Sequence, residues 1–181
     1  MKAKNRRVAF ACVSVLLMSA CAVGWWHTPD SKLEENFSRH EAEFEALVAE
    51  VNADENLQGF RVDEGWYAHR HFSDRSDFSE LGRLGLTRER WVSYKQQLRK
   101  LGIAQVTKGE GAVEFRVDTG FSYKGYMWSL TPPTGHRKAS LDGYRISEND
   151  KDRFGNYDVY KPIKGHWRLT LFVPPQLVIV V

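Results

Sequence analysis

Hydrophobic and polar positions alternate with three different rhythms along the chain. From Val8 to Trp26 apolar residues run almost without interruption, and no Asp, Glu, Lys or Arg stands between Arg7 and Asp30. From Leu33 onward the spacing becomes helical: Leu33, Phe37, His40, Phe44, Leu47, Val48 and Val51 recur three or four apart, with acids and bases between them. Ser31-Lys-Leu-Glu34 before them has the form of a capping box, so a helix is predicted over 32–53. His40 lies on the apolar stripe and reads as a packed, hydrogen-bonded histidine. A second helix is predicted over 88–101. Thr87 is placed to cap it, Glu89 to complement its first turn, and Trp91, Tyr94, Leu98 and Leu101 form its stripe. Arg99 and Lys100 sit in the last turn, and Gly102 follows as a C-terminal stop.

The remainder has the two-residue period of strands. Val113, Phe115 and Val117 alternate with Glu114 and Arg116, and Trp167, Leu169, Leu171 and Val173 alternate with His166, Arg168, Thr170 and Phe172. Further strands are expected over 59–62, 66–72, 121–130 and 141–146, and at the apolar end Leu177–Val181. Lys108-Gly-Glu-Gly111 and Asp118-Thr-Gly120 carry turn chemistry. Helices first, then short strands joined by turns, imply an α+β fold. Two main helices would pack on one face of a mainly antiparallel sheet in a single domain.

The first regime has a different meaning. Lys2, Lys4, Arg6 and Arg7 precede an apolar run and the small residues Ser19 and Ala20, the layout of an export signal. Leu17-Met-Ser-Ala-Cys21 resembles the lipobox of bacterial lipoproteins. The resemblance covers only these first residues. It implies diacylglyceryl transfer to the Cys21 sulfur, cleavage before it, and acylation of the new amino terminus. Ala22 is not the aspartate that retains such proteins in the inner membrane, so the periplasmic side of an outer membrane is the implied location. Met18 departs from the commoner leucine. The alternative is an uncleaved inner-membrane signal anchor, since Val8 to Trp26 approaches the ~20 residues that span a bilayer. In the first reading residues 1–20 are signal, 21–30 tether and 31–181 the domain. Either way the domain is exported and held at a membrane. GLTRERWVSYKQQLRKLG and FSYKGYMW are also similar to stretches of small bacterial lipoproteins of unknown role, a likeness that implies no activity.

Charge looks different once the signal is set aside. The chain has 26 Lys and Arg against 23 Asp and Glu, but four of the bases lie in the first twenty residues, which hold no acid. The rest has one acid in excess, so the basic balance gives no reason to expect nucleic acid as a partner. The two cysteines are Cys12 and Cys21, which leaves no internal disulfide for the domain.

Candidate chemistry is sparse. Asp150, Asp152, Gly155 and Asp158 match positions 1, 3, 6 and 9 of a calcium loop, but Phe154 and Lys161 fail at positions 5 and 12, and a turn between strands is the better reading. His69-Arg-His71 would put two imidazoles on one face of a strand, without the further ligands a metal needs. No nucleophile elbow, Ser-x-x-Lys or His-Glu-x-x-His is present, and His136 near Ser140 reads as a basic loop. No catalytic residue, metal or cofactor is expected. The aromatics are the more suggestive feature. Tyr123, Tyr126 and Trp128 share one predicted strand, with Tyr123 and Met127 on one face and Tyr126 and Trp128 on the other. Both faces of a sheet packed on one side are not buried equally, which makes the three a candidate binding patch. The expectation is therefore a membrane-tethered, non-enzymatic envelope module that binds another envelope protein, as an immunity protein or inhibitor would. The alternative is an envelope hydrolase or a glycan-binding module.

Overall fold

Phe60, Val106, Phe115, Tyr126 and Leu169 lie side by side in one register row across five strands, and this row is the floor of the core. The computed structural model describes residues 27–61, 64–67, 70–73, 81–82, 85–118, 122–133, 135–144, 150–151 and 157–173. The lipobox, the apolar run before it and the Leu177–Val181 end lie outside these residues, as do His69, Asp152, Phe154 and Gly155.

In chain order the elements are α1 (Asp30–Ala53), β1 (Gly59–Arg61), β2 (Glu64–Tyr67), β3 (Arg70–Ser73), α2 (Arg88–Leu101), β4 (Gln105–Gly109), β5 (Ala112–Arg116), β6 (Tyr123–Ser129), β7 (His136–Arg137), β8 (Tyr157–Lys164) and β9 (Trp167–Val173). Among the described residues the strands form one sheet in the order β3-β2-β1-β4-β5-β6-β9-β8-β7. Every neighbouring pair is antiparallel except β7 with β8. The fold is α+β, with both helices on the same sheet face.

That arrangement follows from the apolar faces. Phe37 and Phe44 of α1 meet Tyr126 and Trp167 at ring separations of 4.8–6.3 Å, and Phe44 stands edge-on to Phe115 at 5.9 Å. Phe60 takes Trp91 and Tyr94 of α2 at 6.0 and 4.6 Å. Each such ring, fully buried, contributes about 1.5–3 kcal/mol. Polar clamps then tie the helices together. Arg90 pairs with Glu50 at 3.2 Å and Asp54 at 3.1 Å, the Tyr94 hydroxyl donates to Asp54, and Lys100 reaches Glu43 at 2.7 Å.

α2 has the predicted ends. The Thr87 hydroxyl accepts from Arg90 N at 3.1 Å, and Gly102 stops the helix at φ 66°, a left-handed conformation that costs glycine least. α1 starts earlier than predicted, at Asp30, and makes no side-chain capping bond through Ser31. Its first N–H is capped from a distance instead: Asp142 Oδ1 accepts from Asp30 N at 2.8 Å. His40 is half-buried at a kink (φ −124°, ψ 24°), where its Nδ1 lies 3.2 Å from Glu43 Oε2.

Two predicted strands are corrected. The run 66–72 is not one strand but parts of the β2–β3 hairpin, with Trp66 opposite His71 and Tyr67 opposite Arg70. Of the pair His69 and His71, His71 stands on β3 and His69 lies outside the described residues. The segment from Leu141 is a turn with Gly143 at φ 62°, not the start of a strand.

Gly125 on β6 permits a close approach of two strands: a Cβ there would fall 2.0 Å from Phe115 O and 3.0 Å from Arg116 Cα. No helix among the described residues is long and apolar enough to cross a membrane.

Candidate functional site

Strand β6 links two contrasting regions, one at each of its ends. At its start, Lys124 sits in phase with Tyr126 and Trp128 and so points toward the helix-covered face, where its side chain is 1% exposed. A lysine there is stable only with counter-charges. Asp30 Oδ1 lies 2.5 Å from its Nζ and Asp142 Oδ1 2.7 Å. Asp30 Oδ2 accepts from Leu141 N at 2.9 Å and Ser140 Oγ at 3.1 Å, and Lys161 lies 3.4 Å away while also holding Glu34 at 2.7 Å. Burial pushes the Asp30 carboxyl up, but the bonds from Lys124 and Leu141 N and the lysine's charge together hold it below its ordinary range. The hydrogen bond to Glu34 raises Lys161.

Beside this network His27 is held between two partners. Its Nδ1 lies 2.8 Å from Asp118 Oδ2 and its Nε2 3.1 Å from Ser122 Oγ. The packed structure thus reaches back to His27, into the predicted tether. A cavity of about 60 Å³ adjoins, lined by His27, Lys124, Leu141, Asp142 and Tyr144 among others. The signal for Lys124 was readable, as a lysine in core phase. Asp30, His27 and Asp118 gave none, because the partners named lie 91–112 residues away in sequence, and Asp142 gave none although Lys124 is only 18 residues from it.

At the other end of β6 the surface is apolar. Leu130 is 61% exposed, and the half-buried Trp128 ring lies 5.9 Å from the ring of exposed His166. Of the three aromatics singled out from sequence, Trp128 alone keeps appreciable surface. Tyr126 is fully buried, its hydroxyl donating to Leu33 O at 3.0 Å, and burial pushes that hydroxyl up to about 12. Tyr123 lies on the opposite sheet face, stacked on Phe172 at 4.9 Å with the Arg116 guanidinium 3.7 Å over its ring.

The other candidates are placed as follows. Asp150 is buried, its carboxylate accepting from the Tyr144 hydroxyl at 2.8 and 2.9 Å with Lys138 at 2.8 Å, so it is engaged in a local network rather than open toward a calcium ion. Asp158 stands on β8, a strand rather than a loop flank. His136 is exposed on the edge strand β7. Cys21 lies outside the described residues. No family model matches the chain, and neither does any curated protein or solved structure.

Proposed function

We propose that this chain is a membrane-tethered envelope lipoprotein, anchored through Cys21, whose domain binds another envelope protein without catalysing a reaction. The observation that carries the reading is the position of Leu130 and Trp128. They lie at the end of β6 away from His27, about 25 Å along an extended strand from Ser122 to Leu130. Residues 21–27 reach at most about 20 Å even when extended, so His27 and its end of the sheet would be held near the lipid. The apolar end would then face away from the membrane, open to a partner. A part-exposed tryptophan supports this reading, since aromatic residues are enriched at interfaces, and the exposed leucine adds apolar surface for a partner to cover.

The test is a photo-crosslinking residue at position 130 in living cells, with position 92 on α2 as an exposed apolar control. A discrete adduct from 130 and none from 92, lost in Trp128→Ala, supports the reading. Equal adducts from both positions, or none from 130, refute it.

One observation favours an alternative, an envelope hydrolase. The order Asp118–His27–Ser122 is that of a hydrogen-bonded orienter, base and hydroxyl nucleophile. Against it, the adjoining cavity is lined by His27 but not by Ser122. A fluorophosphonate probe that labels Ser122, and loses its target in Ser122→Ala and His27→Ala, would establish this alternative.

A further inference from the structure

The sheet face turned away from the helices carries a register row of Thr107, Glu114, Met127 and Arg168. Arg168 is 9% exposed, and a buried guanidinium ordinarily has a carboxylate beside it. Here its partners are neutral. Nη1 donates to His166 O at 2.8 Å and Ser129 Oγ at 2.9 Å, with Ser129 O at 3.4 Å. The nearest acid in its row, Glu114, stands two strands away, about 10 Å, and takes Arg116 at 3.2 Å.

Two of the five N–H donors of the guanidinium are therefore used, and those on Nε and Nη2 have no acceptor among the described residues. They are not among the fully enclosed side-chain atoms that lack a hydrogen-bond partner, so they are not sealed from the surface. Nε and Nη2 form the side-on fork that matches both oxygens of a carboxylate. The bonds to His166 O and Ser129 fix that fork next to Leu130, on the sheet face opposite Trp128.

We propose that Arg168 is the recognition residue for a carboxylate on the binding partner, an acidic side chain or chain terminus set next to an apolar residue that covers Leu130. The proposal rests on the reading of this end as a docking surface. It adds the partner's chemistry: the missing counter-charge of a buried arginine arrives with the ligand. Binding then gains a desolvated, bidentate ion pair, the kind of contact that carries a hot spot.

The experiment is a titration of the full chain in nanodiscs, with affinity read by isothermal titration calorimetry in wild type and variant, and the ¹⁵N–¹H signal of Arg168 Nε followed in the wild type. The probes are N-acetyl-Leu-Asp, N-acetyl-Leu-Asn and inorganic phosphate. The expected result is a saturable shift with the aspartyl probe only, weakened at least tenfold in Arg168→Lys, which keeps the charge and loses the fork. The unchanged thermal midpoint of Arg168→Lys shows that the loss is local. Equal response to the asparaginyl probe, a stronger one to phosphate, or full affinity in Arg168→Lys overturns the proposal. Its failure is distinct from failure of the docking reading. A partner crosslinked at 130 with a silent Arg168 sinks this inference alone, and a responsive Arg168 with no crosslink sinks the docking reading alone.

Discussion

Lys124→Met is the sharpest test of what holds the start of α1 against the sheet. Methionine matches the lysine stem in length and removes only the charge. Asp30, 3% exposed, then keeps Leu141 N and Ser140 Oγ but loses the cation at 2.5 Å, and Lys161 at 3.4 Å is the remaining one. Breaking a buried pair on one side costs about 3–5 kcal/mol, because the surviving charge has neither water nor partner. Asp30→Asn is milder, about 2 kcal/mol, since Asp142 still pairs Lys124 and the amide oxygen still accepts from Leu141 N. In the double variant no carboxylate remains at Asp30, so the two costs do not add; a coupling of about 1–3 kcal/mol is expected. Urea unfolding followed by tryptophan fluorescence measures all four corners of the cycle. Acid adds a check of sign. The folded Asp30 carboxyl lies below its ordinary 3.8, so its contribution is complete above that value and is lost as pH falls through the depressed one. In Lys124→Met burial is left to push that carboxyl up, so the deficit against the wild type narrows toward about pH 4. A Lys124→Met cost under about 1 kcal/mol, or additive single costs, would refute the account of a sealed and coupled pair.

Three further expectations follow from single contacts. Phe44→Ala removes a fully buried ring that touches Phe37, Phe115, Tyr126 and Trp167, and lowers stability by about 3–5 kcal/mol in the same unfolding assay. Thr87→Ala deletes the cap on Arg90 N and costs about 1 kcal/mol, with early amide exchange confined to the first turn of α2. Thr170→Val exchanges a sealed hydroxyl without a partner for a methyl group of the same shape, and raises stability by about 1 kcal/mol; a loss of stability would mean that Oγ1 has an acceptor in solution.

What was legible in the sequence was local. α2 combined a hydroxyl cap, a four-residue stripe and a terminal glycine, each of which acts within a turn or two, and its bounds match. β5 was readable because one face is buried and the other only partly so; β9 is buried on both faces, and its period of two survived because Arg168 and Thr170 stand on the face away from the helices. The start of α1 was misread because its first N–H is capped by Asp142 rather than by the nearby Ser31. The β2–β3 pairing was hidden because the sequence between Tyr67 and Arg70 has no glycine, proline or asparagine to signal a turn. β8 was missed in part because Pro162 interrupts the pattern; the strand accommodates it at an irregularity in its pairing with β9. Of the charged cluster, Lys124 alone left a trace in the sequence, its phase with Tyr126 and Trp128, and the sequence analysis did not take it up. The candidate aromatic patch failed to separate Tyr126, which is sealed, from Trp128, which is not, because strand phase tells which face a ring is on and not how far along that face the helices reach.

The distribution of charge explains why the remaining exposed features are informative. α1 is rich in acids, yet Glu34 holds Lys161, Glu35 holds Arg39, Glu41 holds Lys164, Glu43 holds Lys100, Glu50 holds Arg90, and Glu45 accepts from Trp167 Nε1 at 2.6 Å. Apart from Glu35 with Arg39, a pair within α1 itself, its polar face is a set of clamps onto the sheet and α2, not an anionic surface awaiting a ligand. The same holds for Lys124, Arg90 and Arg116, each matched by a carboxylate inside the fold. Exposed pairs of this kind add little stability one by one, but they leave few charges to recognise anything else. Arg168 departs from the pattern. It is more buried than most of the paired bases and is satisfied on one nitrogen only, at the same end of the sheet that leaves Leu130 in water. An uncompensated guanidinium and an uncovered leucine are each unfavourable in isolation. Their coincidence at the end of β6 away from His27 is what a surface completed by a second protein would require.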